Sequence, residues 1–201
     1  MKPSNPILVG CLEDAIWIRV EGKGSFENSG PIKEFSSKMI DEGHRHFIVD
    51  LENCPVMDST FMGTLTGVAL RLAQEEEEPD DVACQATDSD RSESFGLEVI
   101  NANPRCRQLM VGLGLDHIFQ LDEDGGAHRE QSKLVSRQII ARNEDVSDIV
   151  TGKPVEKSAT GEVMLEAHEA LSEACEQNVP RFRDVIEFLK KDLGLPINRP
   201  A

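Results

Sequence analysis

Residues 47–72 read FIVDLENCPVMDSTFMGTLTGVALRL, and this stretch decides the fold. It begins with an apolar run at residues 47–51, rich in β-branched and aromatic residues, which predicts a buried strand. Polar residues and Pro55 end the run. Apolar side chains then recur at helical spacing, at Phe61, Met62, Leu65, Val68, Ala69 and Leu72. The stretch therefore predicts a strand, a short turn and an amphipathic helix.

Polar side chains open the predicted helix. Asp58 or Ser59 is its natural N-cap, because either side chain can accept a hydrogen bond from a free backbone N–H of the first turn. A phosphate on Ser59 or Thr60 would also be stabilised there, since the free N–H groups and the helix dipole favour an anion. From the residue types alone, a capping role is the simpler interpretation. Gly63 and Gly67 each weaken a helix by about 1 kcal/mol relative to Ala, but they would let it approach another backbone closely.

Composition narrows the class of protein. The chain has 201 residues, 39% of them hydrophobic, which is enough for one core and an appendage. A net charge of −16 argues against binding to nucleic acid or to an anionic membrane surface, and it suits a basic protein partner. No apolar run approaches the ~20 residues of a membrane span, and residues 1–10 lack a signal-peptide core. Five scattered cysteines without a CxxC motif favour reduced thiols and a cytoplasmic location.

The segments before residue 47 predict a hairpin and a helix. Residues 7–20 hold two apolar stretches, the second alternating, which predicts two strands at the edge of a sheet. Residues 22–30 are expected to be a loop. Pro31 suits the first position of a helix, which Gly43 ends.

The segments after residue 72 predict two further strands and a helix between them. The acidic run at residues 75–81 favours a solvated helix end, and residues 85–93 favour a loop. A strand is expected at residues 97–100 in preference to residues 82–84. A helix from Pro104 to Gly114 and a short strand at residues 118–121 complete the order β-β-α-β-α-β-α-β, a mixed sheet with packed helices.

A boundary is expected at residues 122–126. Residues 132–150 have mixed periodicity and fit either a strand or a helix, and residues 151–161 are expected to be a loop. Two helical patterns follow, and Pro180 either starts the second helix or kinks one long helix. We expect their apolar stripes to pack on the exposed face of the sheet, with a homodimer or partner surface as the alternative. The helical residues are Met164, Ala167, Leu171, Ala174 and Cys175, then Phe182, Val185, Ile186, Leu189 and Leu193.

The segment VMDSTFMGTL, residues 56–65, resembles the signature of the STAS domain of bacterial anti-sigma factor antagonists and of some sulfate-transporter tails. The segment NPRCRQLMVGLGLDHIFQL, residues 103–121, is similar to the last helix and strand of that family. The resemblance covers roughly residues 5–122. It implies an α/β fold, a STAS-like mixed β-sheet of four to five strands with helices mainly on one face. Residues 1–124 would form this domain, and residues 125–201 a mainly helical C-terminal extension.

The resemblance also implies a function. Ser59 matches the serine that a partner kinase, itself the anti-sigma factor, phosphorylates in this family. The unphosphorylated protein would bind that anti-sigma factor kinase and free the sigma factor, and phosphate would break the complex. The implied partner-binding residues are Asp58, Ser59, Thr60, Phe61 and Met62. This sequence departs from the family at Phe61, where a Gly is usual, in the long acidic connection after the helix, and in the C-terminal extension.

Two other classes of function stay open. One is a STAS-type structural, oligomerising or small-ligand-binding module without phosphorylation, which Phe61 and the extension favour. An enzyme is less favoured, because no nucleophile–base pair, metal set or cofactor loop stands out. No cofactor and no metal are expected: His44 and His46 lack a third ligand at a defined spacing, and an exposed turn is the simpler interpretation. His117 and His168 are expected to be structural or exposed.

Overall fold

The computed structural model describes residues 7–12, 15–76, 96–122 and 157–197. Its strands are β1 (Ile7–Leu12), β2 (Ala15–Val20), β3 (His46–Asp50), β4 (Leu97–Ile100) and β5 (Gln120–Leu121). Its helices are α1 (Phe26–Asp41), α2 (Ser59–Glu76), α3 (Pro104–Val111), a 3-10 turn at Leu115–His117, α4 (Lys157–Ala174) and α5 (Asn178–Asp192). Up to β5, the described elements follow the predicted order.

The five strands form one mixed sheet in the order β1-β2-β3-β4-β5. β1 is antiparallel to β2, and each later neighbouring pair is parallel. β3 lies in the middle, with Val49 opposite Ile18 of β2 and Val99 of β4. The apolar run at residues 47–51 therefore forms the central strand, as the sequence predicts, because a strand paired on both sides and covered on both faces must be apolar throughout.

Alternate residues of the central strands enter two separate apolar clusters. Ile18 and Val49 join the main core together with side chains of α1, α2 and α3. Trp17, Ile48 and Ile100 point to the opposite face, where they form a smaller buried cluster. This alternation follows from the period of two of a β-strand. The helices α1, α2 and α3 thus share one face of the sheet with the main core, and the predicted fold class is confirmed.

Helix α1 begins earlier than the sequence predicts. It starts at Phe26, not at Pro31, so part of the expected loop at residues 22–30 is helical. The side chain of Asn28 accepts a hydrogen bond from the backbone N–H of Ser25 at 2.8 Å, which holds the first turn. Pro31 lies inside the helix and removes the N–H that would bond to the carbonyl of the exposed Glu27, where water can replace it.

Two boundaries toward the C-terminus also differ from the prediction. α4 begins at Lys157, so the last five residues of the loop expected at residues 151–161 are helical. Pro180 is the third residue of α5, so it helps to start a second helix and does not kink one long helix. The last strand is limited to Gln120–Leu121.

Some predicted features fall outside the described residues. These are the strand considered at residues 82–84, the loop at residues 85–93, and the ambiguous segment at residues 132–150. The domain boundary at residue 124 also lies there and stays a prediction. In the described part of the chain, no helix is long and apolar enough to cross a membrane.

Helices α4 and α5, called the C-terminal hairpin below, pack against the helical layer. α4 lies along α2 and touches α1, and α5 packs on α4. Leu171 and Phe182 of the hairpin belong to the main core. The expectation that these helices pack on the exposed sheet face is therefore wrong, because α2 offers them a nearer surface of small residues. Packing within the chain, the broader expectation, is what the structure has.

Candidate functional site

Asp58 joins the starts of two helices. Its Oδ1 accepts a hydrogen bond from the backbone N–H of Phe61 at 2.9 Å, which caps α2. Its Oδ2 accepts one from the backbone N–H of Phe26 at 3.0 Å, at the first residue of α1. Of the two caps considered from the sequence, Asp58 is the one that the structure uses. Both carboxylate oxygens are engaged inside the molecule, so Asp58 acts as a clamp.

Ser59, the first residue of α2, contacts a histidine 109 positions later. Its Oγ lies 3.0 Å from Nε2 of His168 on α4. Nδ1 of the same imidazole lies 2.7 Å from the carbonyl oxygen of Met164, which can only accept, so Nδ1 carries a hydrogen. In the neutral ring Nε2 then holds a lone pair, and Ser59 O–H donates to it. His168 is 6% exposed and its ring meets Phe182 edge-on, so the imidazole is held firmly.

The next three residues lie in the interior. Thr60 is 5% exposed, Phe61 is fully buried and Met62 is 4% exposed. The resemblance implied that all three contact a partner, and that role stays a prediction for side chains that the structure places in the interior. The ring of Phe61 lies against Gly24, where an added Cβ would come within 2.7 Å of it. The bulky Phe61 side chain is therefore part of the core.

α2 and α4 approach each other at Gly63. A Cβ at this position would lie 2.1 Å from the carbonyl oxygen of Ala167, closer than any real contact. One turn later the helices are further apart, since a Cβ on Gly67 would lie 3.8 Å from that of Ala170. The sequence expectation of a close backbone approach is correct, and α4 is the neighbour.

Polar contacts hold the C-terminal hairpin at its edges. Lys33 of α1 pairs with Glu166 of α4. The buried Asn178 at the start of α5 donates from Nδ2 to the carbonyl of Leu113 at 2.9 Å and to that of Leu171 at 2.8 Å. Arg181 donates to the neighbouring loop at the carbonyl of Gly112, at 2.9 Å. These contacts fix the hairpin to α1 and to the loop after α3, and they join α5 to α4.

A charged cluster ends the strands that lead to the site. The Arg19 guanidinium lies 2.7 Å from Glu21, 3.5 Å from Asp50 and 2.9 Å from Glu52. Burial alone would lower the pKa of Arg19, but the Glu21 hydrogen bond and the three negative charges together raise it. The buried Asp50 also accepts from the side chain of Asn101 at 2.9 Å, which ties β3 to the end of β4. This cluster is a structural anchor for the loop before α2.

Two buried thiols lie beside that loop. Sγ of Cys106 is 3.6 Å from the carbonyl oxygen of Cys54, and Nδ2 of Asn103 donates to Sγ of Cys106 at 3.3 Å. The hydrogen bond between the thiols and their burial raise the pKa of Cys54. The same bond, opposed by burial but helped by Asn103 and Arg105, lowers the pKa of Cys106 to about 7. Their burial keeps both thiols away from solvent reagents.

His46 lies near the sheet, beside a carboxylate of the neighbouring strand. His46 pairs with Glu98 across β3 and β4 at 3.1 Å. Across residues 7–12, 15–76, 96–122 and 157–197, no group of three potential metal-ligating side chains occurs. Two cavities of about 160 Å³ and 290 Å³ border α4, and neither is lined by Ser59 or His168.

His168 is the residue of the site that sequence reasoning missed. No nucleophile–base pair stands out in the sequence, whereas the structure brings Ser59 and His168 within hydrogen-bonding distance. The only signal in the sequence is a histidine inside the apolar stripe of α4, between Ala167 and Leu171. A stripe position predicts burial, and a buried histidine needs partners, but nothing local names them.

Comparisons with known proteins found similar chains among solved structures. No family model matches the chain, and a search of curated proteins found no significant match. Among solved structures, a candidate anti-sigma factor antagonist from Thermotoga maritima is 13% identical over 62% of this chain and 92% of its own, with a TM-score of 0.47. The phosphorylated Bacillus cell fate determinant SpoIIAA is 16% identical over 66% and 99%, with a TM-score of 0.43. An anti-sigma factor antagonist from Mycobacterium paratuberculosis is 14% identical over 68% and 95%, with a TM-score of 0.44.

Proposed function

We propose that this chain is a regulatory protein-binding module of the anti-sigma factor antagonist type, controlled by phosphorylation of Ser59. Its partner would be a cytoplasmic anti-sigma factor that is also a serine kinase. The observation that carries the proposal is the position of Ser59, the first residue of α2, immediately after the capping Asp58. The sequence resemblance at residues 56–65 and 103–121 supports the same reading.

The start of α2 is suited to carry a phosphate. A phosphoserine brings about −1.5 to −2 charges at pH 7. The first turn of a helix offers free N–H groups and the positive end of the dipole, so the domain itself would tolerate that charge. At an interface with acidic groups, the same charge would weaken binding through repulsion and desolvation. A loss of 1.4 kcal/mol weakens binding tenfold, so one phosphate is enough to break a complex.

The test is incubation of the full chain with candidate anti-sigma kinases from the same cell and ATP, followed by phosphosite mapping. We expect phosphate on Ser59 in the wild type and in Thr60→Ala, and none in Ser59→Ala. Thr60→Ala is the matched control, because Thr60 is the adjacent hydroxyl and is buried. Ser59→Asp should bind the kinase at least tenfold more weakly than Ser59→Ala.

Phosphate on neither hydroxyl, together with equal binding by Ser59→Asp and Ser59→Ala, would contradict the proposal. Circular dichroism of both variants must match the wild type for the comparison to count. An acidic group at a helix N-terminus contributes about 0.3–1 kcal/mol in its favour. The domain should therefore fold in both cases.

A structural or oligomerising module without phosphorylation is the second candidate. The hydrogen bond between Ser59 and His168 favours it, because the hydroxyl already has a partner inside the molecule. A homodimer belongs to this candidate. Sedimentation of the full chain over a range of concentrations distinguishes a dimer from a monomer, and an unmodified Ser59 in protein from its own cells would favour this reading.

A further inference from the structure

We propose that the C-terminal hairpin is an autoinhibitory element that occupies the Ser59 end of α2 and excludes both a phosphate and a partner from it. Hairpin docking and phosphorylation of Ser59 would then oppose each other. This inference rests on the proposed function of Ser59 and adds its regulation.

The contact between Ser59 and His168 leaves no place for a phosphate on the side of the imidazole. The Oγ-to-Nε2 distance is 3.0 Å, so the imidazole occupies the position of the phosphorus substituents on that side. Phosphorylation replaces the hydroxyl hydrogen that Ser59 donates, so the hydrogen bond is lost as well. His168 cannot turn away while α4 is in place, because its Nδ1–H is bound to Met164 and its ring is packed on Phe182.

The contact at Gly63 excludes a partner from the same helix. Ala167 of α4 lies so close to Gly63 that not even a methyl group fits between the two backbones. A partner helix therefore cannot reach this face of α2 while α4 lies on it. Hairpin docking and partner binding to this face therefore exclude each other, so anything that stabilises the docked hairpin weakens partner binding.

Two glycines of α2 provide a matched pair of variants. Gly63→Ala places a methyl group 2.1 Å from the Ala167 carbonyl oxygen and must displace α4. Gly67→Ala places one at an ordinary 3.8 Å from Ala170 and should leave α4 in position. Both substitutions favour the helical state of α2 equally. Any difference between them therefore reports on the hairpin.

The first arm measures access to position 59 without a kinase. Three full chains are compared: Ser59→Cys alone, Ser59→Cys with Gly63→Ala, and Ser59→Cys with Gly67→Ala. Each chain is treated with N-ethylmaleimide. Peptide mapping follows the modification of the new cysteine separately from Cys54. We expect Gly63→Ala to speed labelling at least tenfold and Gly67→Ala to change it less than twofold. Equal rates in all three chains would overturn the inference.

The second arm locks the hairpin in place. Gly67→Cys with Ala170→Cys puts two Cβ atoms 3.8 Å apart, the usual separation in a disulfide. Oxidised glutathione accepts the two electrons and two protons that the thiols lose, and dithiothreitol returns them. With the anti-sigma kinase and ATP, we expect the oxidised chain to be phosphorylated on Ser59 at least tenfold more slowly than the reduced chain. The controls are the wild type and the two chains that carry only Gly67→Cys or only Ala170→Cys, all treated identically.

The two arms distinguish autoinhibition by the hairpin from the phosphorylation switch at Ser59. Equal phosphorylation of oxidised and reduced chains overturns autoinhibition and leaves the Ser59 switch intact. Absence of phosphorylation in every chain, including Gly63→Ala, overturns the switch, and maleimide labelling then decides the masking of position 59. If Gly63→Ala fails to fold by circular dichroism, the disulfide chain decides, since its reduced form differs little from the wild type.

Discussion

Single residues set the geometry of the candidate site, and Asp58 has the largest role. One carboxylate caps α2 and also holds the first N–H of α1. The sequence offered Asp58 and Ser59 equally as caps. The structure separates their roles, because Asp58 takes both caps and leaves the Ser59 hydroxyl available to His168.

Replacement of Asp58 should be unusually costly for a cap residue. A lost N-cap destabilises by about 0.5–2 kcal/mol, and Asp58→Ala loses two such bonds, so we expect a loss of about 2 kcal/mol. Asp58→Asn keeps one carbonyl oxygen and should lose about half as much. Urea unfolding monitored by circular dichroism measures both. Equal stability of the Ala and Asn variants would show that the hydrogen bond retained by Asn contributes nothing.

At the scale of elements, the sequence predicted which segments form helices better than where they begin. The sequence predicted that α1 begins at Pro31. The helix begins five residues earlier, where the side chain of Asn28 bonds to the backbone. An amide at that position is a weak signal in a sequence. The sequence predicted the apolar stripes of α4 and α5, but it did not predict the surface on which they pack. Two apolar surfaces were available to them, and only the shape of α2 at Gly63 distinguishes one from the other.

The junction between the hairpin and the rest of the chain depends on Asn178. Its buried Nδ2 serves two carbonyls, and a buried group that loses its partner costs about 1–3 kcal/mol. We expect Asn178→Ala to destabilise the chain by about 2–4 kcal/mol. Arg181→Ala, which removes an exposed donor to the same loop, should cost less than about 1 kcal/mol. Thermal unfolding measures the stability of both variants. Similar losses would mean that the buried contacts of Asn178 stabilise the chain no more than the exposed contact of Arg181.

At the scale of the whole molecule, the sheet and its helices followed from local patterns. Each strand pairs with its neighbour in the chain, so the period of two in β2 and the apolar run of β3 were enough to order them. The candidate site could not be predicted from local sequence patterns in this way. It joins the start of α2 to α4, and contacts between distant segments depend on packing that local patterns do not encode.

Removal of the hairpin should therefore affect the entire protein. A chain ending at residue 156 would uncover α2 and lose the buried Leu171 and Phe182 from the main core. Burial of such side chains contributes about 1.5–3 kcal/mol each, and 1 kcal/mol shifts Tm by about 2–4 °C at this size. We expect Tm to fall by about 6–24 °C, with self-association in size-exclusion chromatography. An unchanged Tm and a single monomeric peak would show that the hairpin is dispensable for stability.

The distance along the chain between α2 and its cover has a consequence for synthesis. Residues 77–156 separate the two helices, and ribosomes add about 5–20 residues per second. A nascent chain would thus present the Gly63 face of α2 for roughly 4–16 s before the first residue of α4 is made. During that interval Ser59 has no His168 to bond with, so the newborn protein passes through an uncovered state that the finished protein can regain only by moving its hairpin.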